Sequence, residues 1–213
     1  MQKNKTFELI VFDLDGTLMK SDATIYKTML QTFEVLGIDY HIPYEDFINF
    51  IGYHFKDIFD YFNIEVNDIE HFINVYKQRY FNNLMYTELF PKVKETLDII
   101  KNRNIKTAIL TTKAQDQLEK IIEYFNMNKY FDLLVGRRPE MKIKPSPEPL
   151  LWIINNLKVN PENVLMVGDT ELDIECGNKA NTYTCYVDYG YGKLKTSKAN
   201  YSLSYFDKIL ELL

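Results

Sequence analysis

Asp13 and Asp15 stand one residue apart in the stretch VFDLDGTL, residues 11–18, where an apolar run ends. Like charges this close repel, and a carboxylate taken out of water destabilises a fold unless a cation or hydrogen bonds compensate it. Such a pair is tolerable where one acid coordinates a cation and the other holds a proton. Three more clusters carry chemistry-bearing residues: TTK at 111–113, KPSP at 144–147 and GDTELD at 168–173. Taken singly each has a plain reading. DLDGT suits a turn, GDTELD a capped helix start, and KPSPEP a proline-stiffened loop. Their order and spacing along one chain make a shared site the better account.

The elements that must position these clusters are legible as apolar runs. Five short runs read as strands: 7–12, 107–111, 131–135, 164–167 and 183–187. Near-continuous Val, Ile and Leu suits strands buried on both faces, as in a parallel sheet. Helical spacing falls between them, over 91–102, 115–125, 149–157 and 171–180, with Pro91 at a first-turn position. This alternation predicts an α/β fold, a Rossmann-like parallel-sheet core with right-handed crossovers. The clusters lie beside the carboxyl ends of the expected strands, where open α/β sheets form their ligand crevice.

Residues 19–88 break the alternation with helical patterns and no strand. The helix expected over 24–36 ends at Gly37, and the one over 67–81 opens on Asn67-x-x-Glu70, a capping-box spacing. The expected organisation is a core domain of residues 1–18 and 89–213 with an inserted all-helical domain, 19–88, covering the acids. The ring-rich segment FINFIGYHFKDIFDYF reads as helix packing.

Composition narrows the function classes. The chain has 213 residues, 46% of them hydrophobic, with 25 Lys and Arg against 30 Asp and Glu. That suits a folded globule with a small partner, because the charges are interspersed and no basic stripe for nucleic acid appears. Cys176 and Cys185 have no disulfide or zinc spacing and read as core thiols. The start MQKNKTFELIVF has too few apolar residues for a signal-peptide core or a membrane span, so a cytoplasmic location is expected.

With these motifs in hand, the chain resembles the haloacid dehalogenase superfamily, in its phosphoglycolate-phosphatase-like branch with a helical cap. Asp13 and Asp15 match the first motif, Thr111 the second, Lys144 the third, and Asp169 with Asp173 the fourth; GDTELDIECGNKAN and VDYGYG extend the match. The resemblance implies Asp13 as nucleophile, forming an aspartyl-phosphate, and Asp15 as the acid that protonates the departing alkoxide and then activates water. It implies Asp13, the backbone carbonyl of Asp15 and Asp169 as ligands of a metal, with Asp173 supporting directly or through water. Mg2+ is the expected ion, since the donors are hard oxygens. Gly16, with Thr17 beside it, lets the backbone approach phosphate oxygens, Thr111 offers its hydroxyl, and Lys144 ties nucleophile and phosphate together.

The expected activity is hydrolysis of a small phosphorylated metabolite, phosphoglycolate first. Alternatives are a pyrophosphatase or 5'-nucleotidase-type phosphatase, then a phosphosugar mutase, then a non-catalytic phosphate-binding protein. The resemblance counts against a dehalogenase or phosphonatase, because Asp15 is kept, and against a mutase, because no His follows the first motif. The substrate's leaving group is expected to meet the loop of Gly52, Tyr53, His54 and Lys56, with Lys56 pairing to a carboxylate. Thr112 stands where relatives commonly have Asn, a departure that bears on specificity. The oligomeric expectation is a monomer or a homodimer.

Overall fold

A computed structural model describes residues 6–213; residues 1–5 of the polar start lie outside the described residues. The strands are β1 (Leu9–Phe12), β2 (Met19–Lys20), β3 (Glu88–Leu89), β4 (Lys106–Ala114), β5 (Leu133–Arg137), β6 (Val164–Gly168), β7 (Tyr183–Val187) and β8 (Tyr201–Leu203). The α-helices are α1 (Asp22–Leu36), α2 (Tyr44–Phe47), α3 (Phe55–Phe62), α4 (Ile69–Tyr80), α5 (Val93–Asn102), α6 (Gln115–Tyr124), α7 (Glu148–Leu157) and α8 (Glu171–Lys179).

Six strands form one parallel sheet in the order β5-β4-β1-β6-β7-β8. Alternate side chains of β1 enter two different cores: Ile10 and Phe12 join the larger, Leu9 and Val11 the one beneath α7. Burial on both faces is why the runs read as apolar without alternation. From β1 the chain crosses to β4 and β5 on one side, then returns to β6 on the other. The sheet reverses direction there, so the ends of β1, β4 and β6 open the crevice.

Between β2 and β3 the elements are all helical, and β2 and β3 pair antiparallel, Met19 with Leu89 and Lys20 with Glu88. This two-residue ladder was not expected, since so short a pair leaves no periodic signal. The aromatic segment packs as rings on rings: Phe33 to Phe72 at 5.8 Å, Phe59 to Phe72 at 4.9 Å and Phe55 to Phe72 at 5.1 Å between centroids. Each such pair contributes about 0.5–1.5 kcal/mol beyond its burial. Gly37 ends α1 in the left-handed region at φ 65°, as its position suggested.

Several local expectations need correction. Asp68, not Asn67, caps α4, its carboxylate accepting from the His71 N–H at 2.9 Å. Helix α5 starts at Val93 rather than Pro91, because Lys92 takes a left-handed φ of 63° that interrupts the helical path. A sixth sheet strand, β8, pairs with β7 through three residues at the sheet edge. Both cysteines are buried and unbonded to each other. Among the described residues no helix is long and apolar enough to cross a membrane.

Candidate active site

Asp13 extends β1 by one residue, its N–H donating to the carbonyl of Val167 on β6 at 2.8 Å. That register sets Asp13 beside Asp169, the residue after β6. On the other side, β4 shifts register between Leu110 and Ala114, an irregularity typical of strands beside active sites. It carries Thr111, Thr112 and Lys113. Thr111 is buried, and its hydroxyl oxygen accepts from the Lys113 N–H at 3.3 Å, leaving its own proton to give.

Lys144 reaches this point from the loop before α7. Its ammonium donates to Asp13 Oδ1 at 2.6 Å, Asp173 Oδ1 at 2.6 Å and the Leu110 carbonyl at 3.0 Å, which uses all three of its protons. Burial alone would push its pKa down, but the two carboxylates outweigh that and hold it well above the usual lysine range. The other oxygen of Asp173 accepts from the Thr170 N–H at 3.0 Å and the Thr170 hydroxyl at 2.6 Å. Asp173 therefore fixes Lys144 and caps α8, with both oxygens engaged.

Asp169 lies in a cradle of backbone. Its Oδ2 accepts from the N–H groups of Tyr191 at 2.7 Å and Gly192 at 3.2 Å. A Cβ on Gly16, whose φ is 88°, would come within 2.2 Å of that Oδ2, and one on Gly190 within 2.2 Å of the Asp169 Cβ. Only glycine fits where backbone and carboxylate approach so closely. The Tyr191 hydroxyl accepts from the N–H of Ser21 at 2.8 Å and donates to Asp22, linking this cradle to the start of α1.

Asp15 is held by a cation and a hydroxyl. Lys113 Nζ sits 3.0 Å from its Oδ2, and the Ser21 hydroxyl donates to its Oδ1. The Lys113 ammonium also lies 4.7 Å from the Tyr80 ring.

The cluster fits a hard divalent cation. Carboxylate oxygens of Asp13, Asp169 and Asp173 lie within 4.8 Å of one another, and Asp169 Oδ1 is buried without a hydrogen-bond partner. Three buried carboxylates, Asp13, Asp169 and Asp173, face one buried ammonium, Lys144, a formal excess of two negative charges. Burial pushes the pKa of Asp13 up to about 7, with Asp173 and Asp15 adding to it against Lys144, and burial raises that of Asp169 as well. Without a cation the folded state thus holds more protons than the unfolded one between about pH 4 and 7, so its stability falls as pH rises through that window. A bound cation replaces those protons. The melting temperature is expected to rise on adding Mg2+, and by more near pH 8 than near pH 5. Equal shifts at both would contradict the assignment.

A cavity of about 80 Å³ adjoins Asp15. Tyr53 and His54 line it, as do Gly52 and Thr112, whose hydroxyl donates to the Gly52 carbonyl at 3.0 Å. Gly52 takes a φ of 96°, and its loop lies against Thr170. His54 caps α3, its Nδ1 accepting from the Lys56 N–H at 3.2 Å; burial, then Arg137, lower its pKa, so the ring is neutral with its proton on Nε2. Lys56 does not reach this cavity. It pairs with Asp60 at 2.6 Å on the solvent face of α3, 64% exposed, because helical spacing turns Ile58 and Phe59 inward instead. Thr17 is fully buried and its hydroxyl has no partner.

The family model of haloacid dehalogenase-like hydrolases matches residues 10–187. The chain belongs to this family. It is similar to a phosphoglycolate phosphatase of Aquifex aeolicus, 32% identical over 206 residues that cover 96% of each chain. It is also similar to the pyrophosphatase PpaX of Bacillus mycoides, 34% identical over 212 residues, 96% of this chain and 95% of that one. A solved haloacid dehalogenase-like hydrolase of Streptococcus pneumoniae shares the fold, with a TM-score of 0.85 at 21% identity across 96% of this chain and 97% of that one. The protein is accordingly an enzyme, a hydrolase of the phosphatase kind.

At this site Asp13 Oδ2 is not engaged by Lys144, Asp169 Oδ1 has no hydrogen-bond partner among the described residues, and Thr111 keeps a proton to donate. Sequence reasoning missed Ser21 and left Lys113 without a part, although Lys113 follows an apolar strand run as the assigned residues do. Tyr191 was legible only as part of VDYGYG, and its contact with Asp169, made by backbone, was not.

Proposed function

We propose that this enzyme is a Mg2+-dependent phosphomonoesterase that passes the phosphoryl group of a small metabolite to Asp13 and then to water. The observation that carries this reading is the buried cluster of Asp13, Lys144, Asp169 and Asp173, two positive charges short of neutrality, with Asp169 Oδ1 orphaned. Asp13, Asp169 and the Asp15 carbonyl would hold the ion. When bound it supplies positive charge to the phosphoryl oxygens and keeps Asp13 ionised.

In this reading Lys144 holds Asp13 Oδ1 so that Oδ2 faces phosphorus in line with the departing oxygen. The new Asp13 O–P bond forms as the ester O–P bond breaks, and Asp15, protonated at the outset, gives its proton to the leaving oxygen. Water then attacks the aspartyl-phosphate while Asp15 takes its proton, which regenerates Asp13 and releases phosphate. The pairing of Asp15 with Lys113 and Ser21 is the arrangement suited to the second step. Thr111 donates to a phosphoryl oxygen, Gly16 and Thr17 border it, and Asp173 acts through Lys144. Residues 19–88 serve as a cap on a core of 1–18 and 89–213, hinged at the β2–β3 pair, with Gly52, Tyr53 and His54 facing the leaving group. We place the enzyme in the cytoplasm, acting on a small metabolite.

Phosphoglycolate is the favoured substrate. Pyrophosphate is the second, and the likeness to a pyrophosphatase over nearly the whole chain favours it specifically. The test is phosphate release from phosphoglycolate, pyrophosphate, nucleoside monophosphates and phosphosugars, with Mg2+ and with chelator. Release that requires Mg2+ and is highest in catalytic efficiency for one of the first two is expected; transfer to a sugar acceptor exceeding phosphate release would point to a mutase instead.

A further inference from the structure

We infer that Gln117 and Arg137 select the substrate, by binding a second oxyanion on a compact leaving group. The inference rests on the phosphatase reading and names what its leaving-group side recognises. The cavity touches Asp15 but none of Asp13, Lys144 or Asp169. It therefore lies on the side of the residue that protonates the departing oxygen, where the leaving group must sit. At about 80 Å³ it holds only a few non-hydrogen atoms.

Its charge is one-sided. Three cationic side chains, Lys77, Lys113 and Arg137, line it against one carboxylate, Asp15; much of the remaining wall is apolar, including Phe47, Ile51 and Ile73. An anion enclosed there is favoured, and a neutral alkyl group finds no polar partner of its own. Two of the cations are already committed, Lys113 to Asp15 at 3.0 Å and Lys77 to Asp116 at 2.8 Å. Among the described residues Arg137, at the end of β5, pairs only with Glu70 at 4.0 Å, a carboxylate mostly in solvent. Its guanidinium is the cation with donors to spare.

Gln117 supplies the second mark. It lies in the first turn of α6, is 5% exposed, and its Nε2 is buried with no hydrogen-bond partner among the described residues. A buried amide left unpaired is costly, so such groups normally have a use. Beside a cationic wall, an amide N–H donor answers an oxyanion. A carboxylate, as in glycolate, and a phosphoryl group, as in pyrophosphate, share that chemistry. Lys56, read from the sequence as the anion partner, is replaced in this role by Arg137.

The experiment compares kcat/KM for 2-phosphoglycolate, pyrophosphate and ethyl phosphate, the last matching the first in size without the second charge. The substitutions are Gln117→Leu, Arg137→Gln and Arg137→Lys. The preference for the oxyanion substrates over ethyl phosphate is expected to fall roughly tenfold in Gln117→Leu and roughly 30-fold in Arg137→Gln, chiefly through KM. Arg137→Lys should recover part of it, since it keeps the charge and loses the fork. Whichever oxyanion substrate loses more in Arg137→Lys is the one read by the fork, and either result supports the assignment. A preference unchanged in both neutral variants, or losses shared equally by ethyl phosphate, would overturn it. If the unsubstituted enzyme releases phosphate from none of the three, the phosphatase reading itself fails, a result distinct from active enzyme with an unaltered preference.

Discussion

Asp13→Asn is expected to lower phosphate release by roughly 10⁴-fold or more, the scale on which removing a nucleophile acts. The amide is nearly isosteric and its oxygen still accepts from Lys144, so the loss is chemical: no acyl-phosphate forms on it. The same substitution should stabilise the metal-free protein. Asp13 has its pKa raised to about 7 by burial and by Asp173 and Asp15, so its ionised form is unfavourable above that pH until a cation arrives. Removing the charge removes that cost, and it also removes a ligand. Thermal melts should therefore show a higher metal-free melting temperature near pH 8 and a smaller rise on adding Mg2+. Loss of activity together with a lower metal-free melting temperature would mean that Asp13 serves the fold rather than the reaction.

Lys144→Met is expected to be the most destabilising single change in the site, by about 3–5 kcal/mol, because it strands buried carboxylates without their counter-charge. Met fills a similar length but donates nothing. Asp173, 0% exposed, keeps its bonds to Thr170 and loses the Lys144 ammonium, and Asp13 loses the same partner. A second change separates charge from packing. If charge is the cause, Asp173→Asn added to Lys144→Met should restore part of the lost stability, since it neutralises one stranded group; denaturant melts of the two single variants and the double measure that coupling. A double variant as unstable as the sum of the singles would assign the loss to packing.

The sheet was readable because its strands are buried on both faces. Ile10 and Phe12 enter one core while Leu9 and Val11 enter the other, so from Leu9 the run shows no polar position until Asp13. The reacting cluster was readable for a related reason: parallel strands put their carboxyl ends together, so acids and lysines after separate runs meet. What sequence periodicity carries poorly is the direction of a long side chain. Lys56 and Arg137 are both cations near expected element ends, yet the helical turn sends Lys56 outward and β5 delivers Arg137 to the cavity. The ion pair of Lys113 with Asp15 joins residues 98 positions apart and has no local signature. Backbone contacts leave even less trace. Tyr191 holds Asp169 through its N–H, and the reason Gly16 must be glycine is the carboxylate of Asp169, far away in the chain. At the edge, β8 has three residues and one buried side chain, too little for a pattern.

In the proposed reaction Asp13 takes the phosphoryl group from the substrate. Acid-quenching the enzyme during turnover and reducing it with borohydride converts an aspartyl-phosphate to homoserine, which peptide mass analysis locates. Homoserine at position 13 and at no other aspartate is the predicted result. Continued phosphate release with position 13 still aspartate in every sample, or homoserine at a different residue, would contradict it.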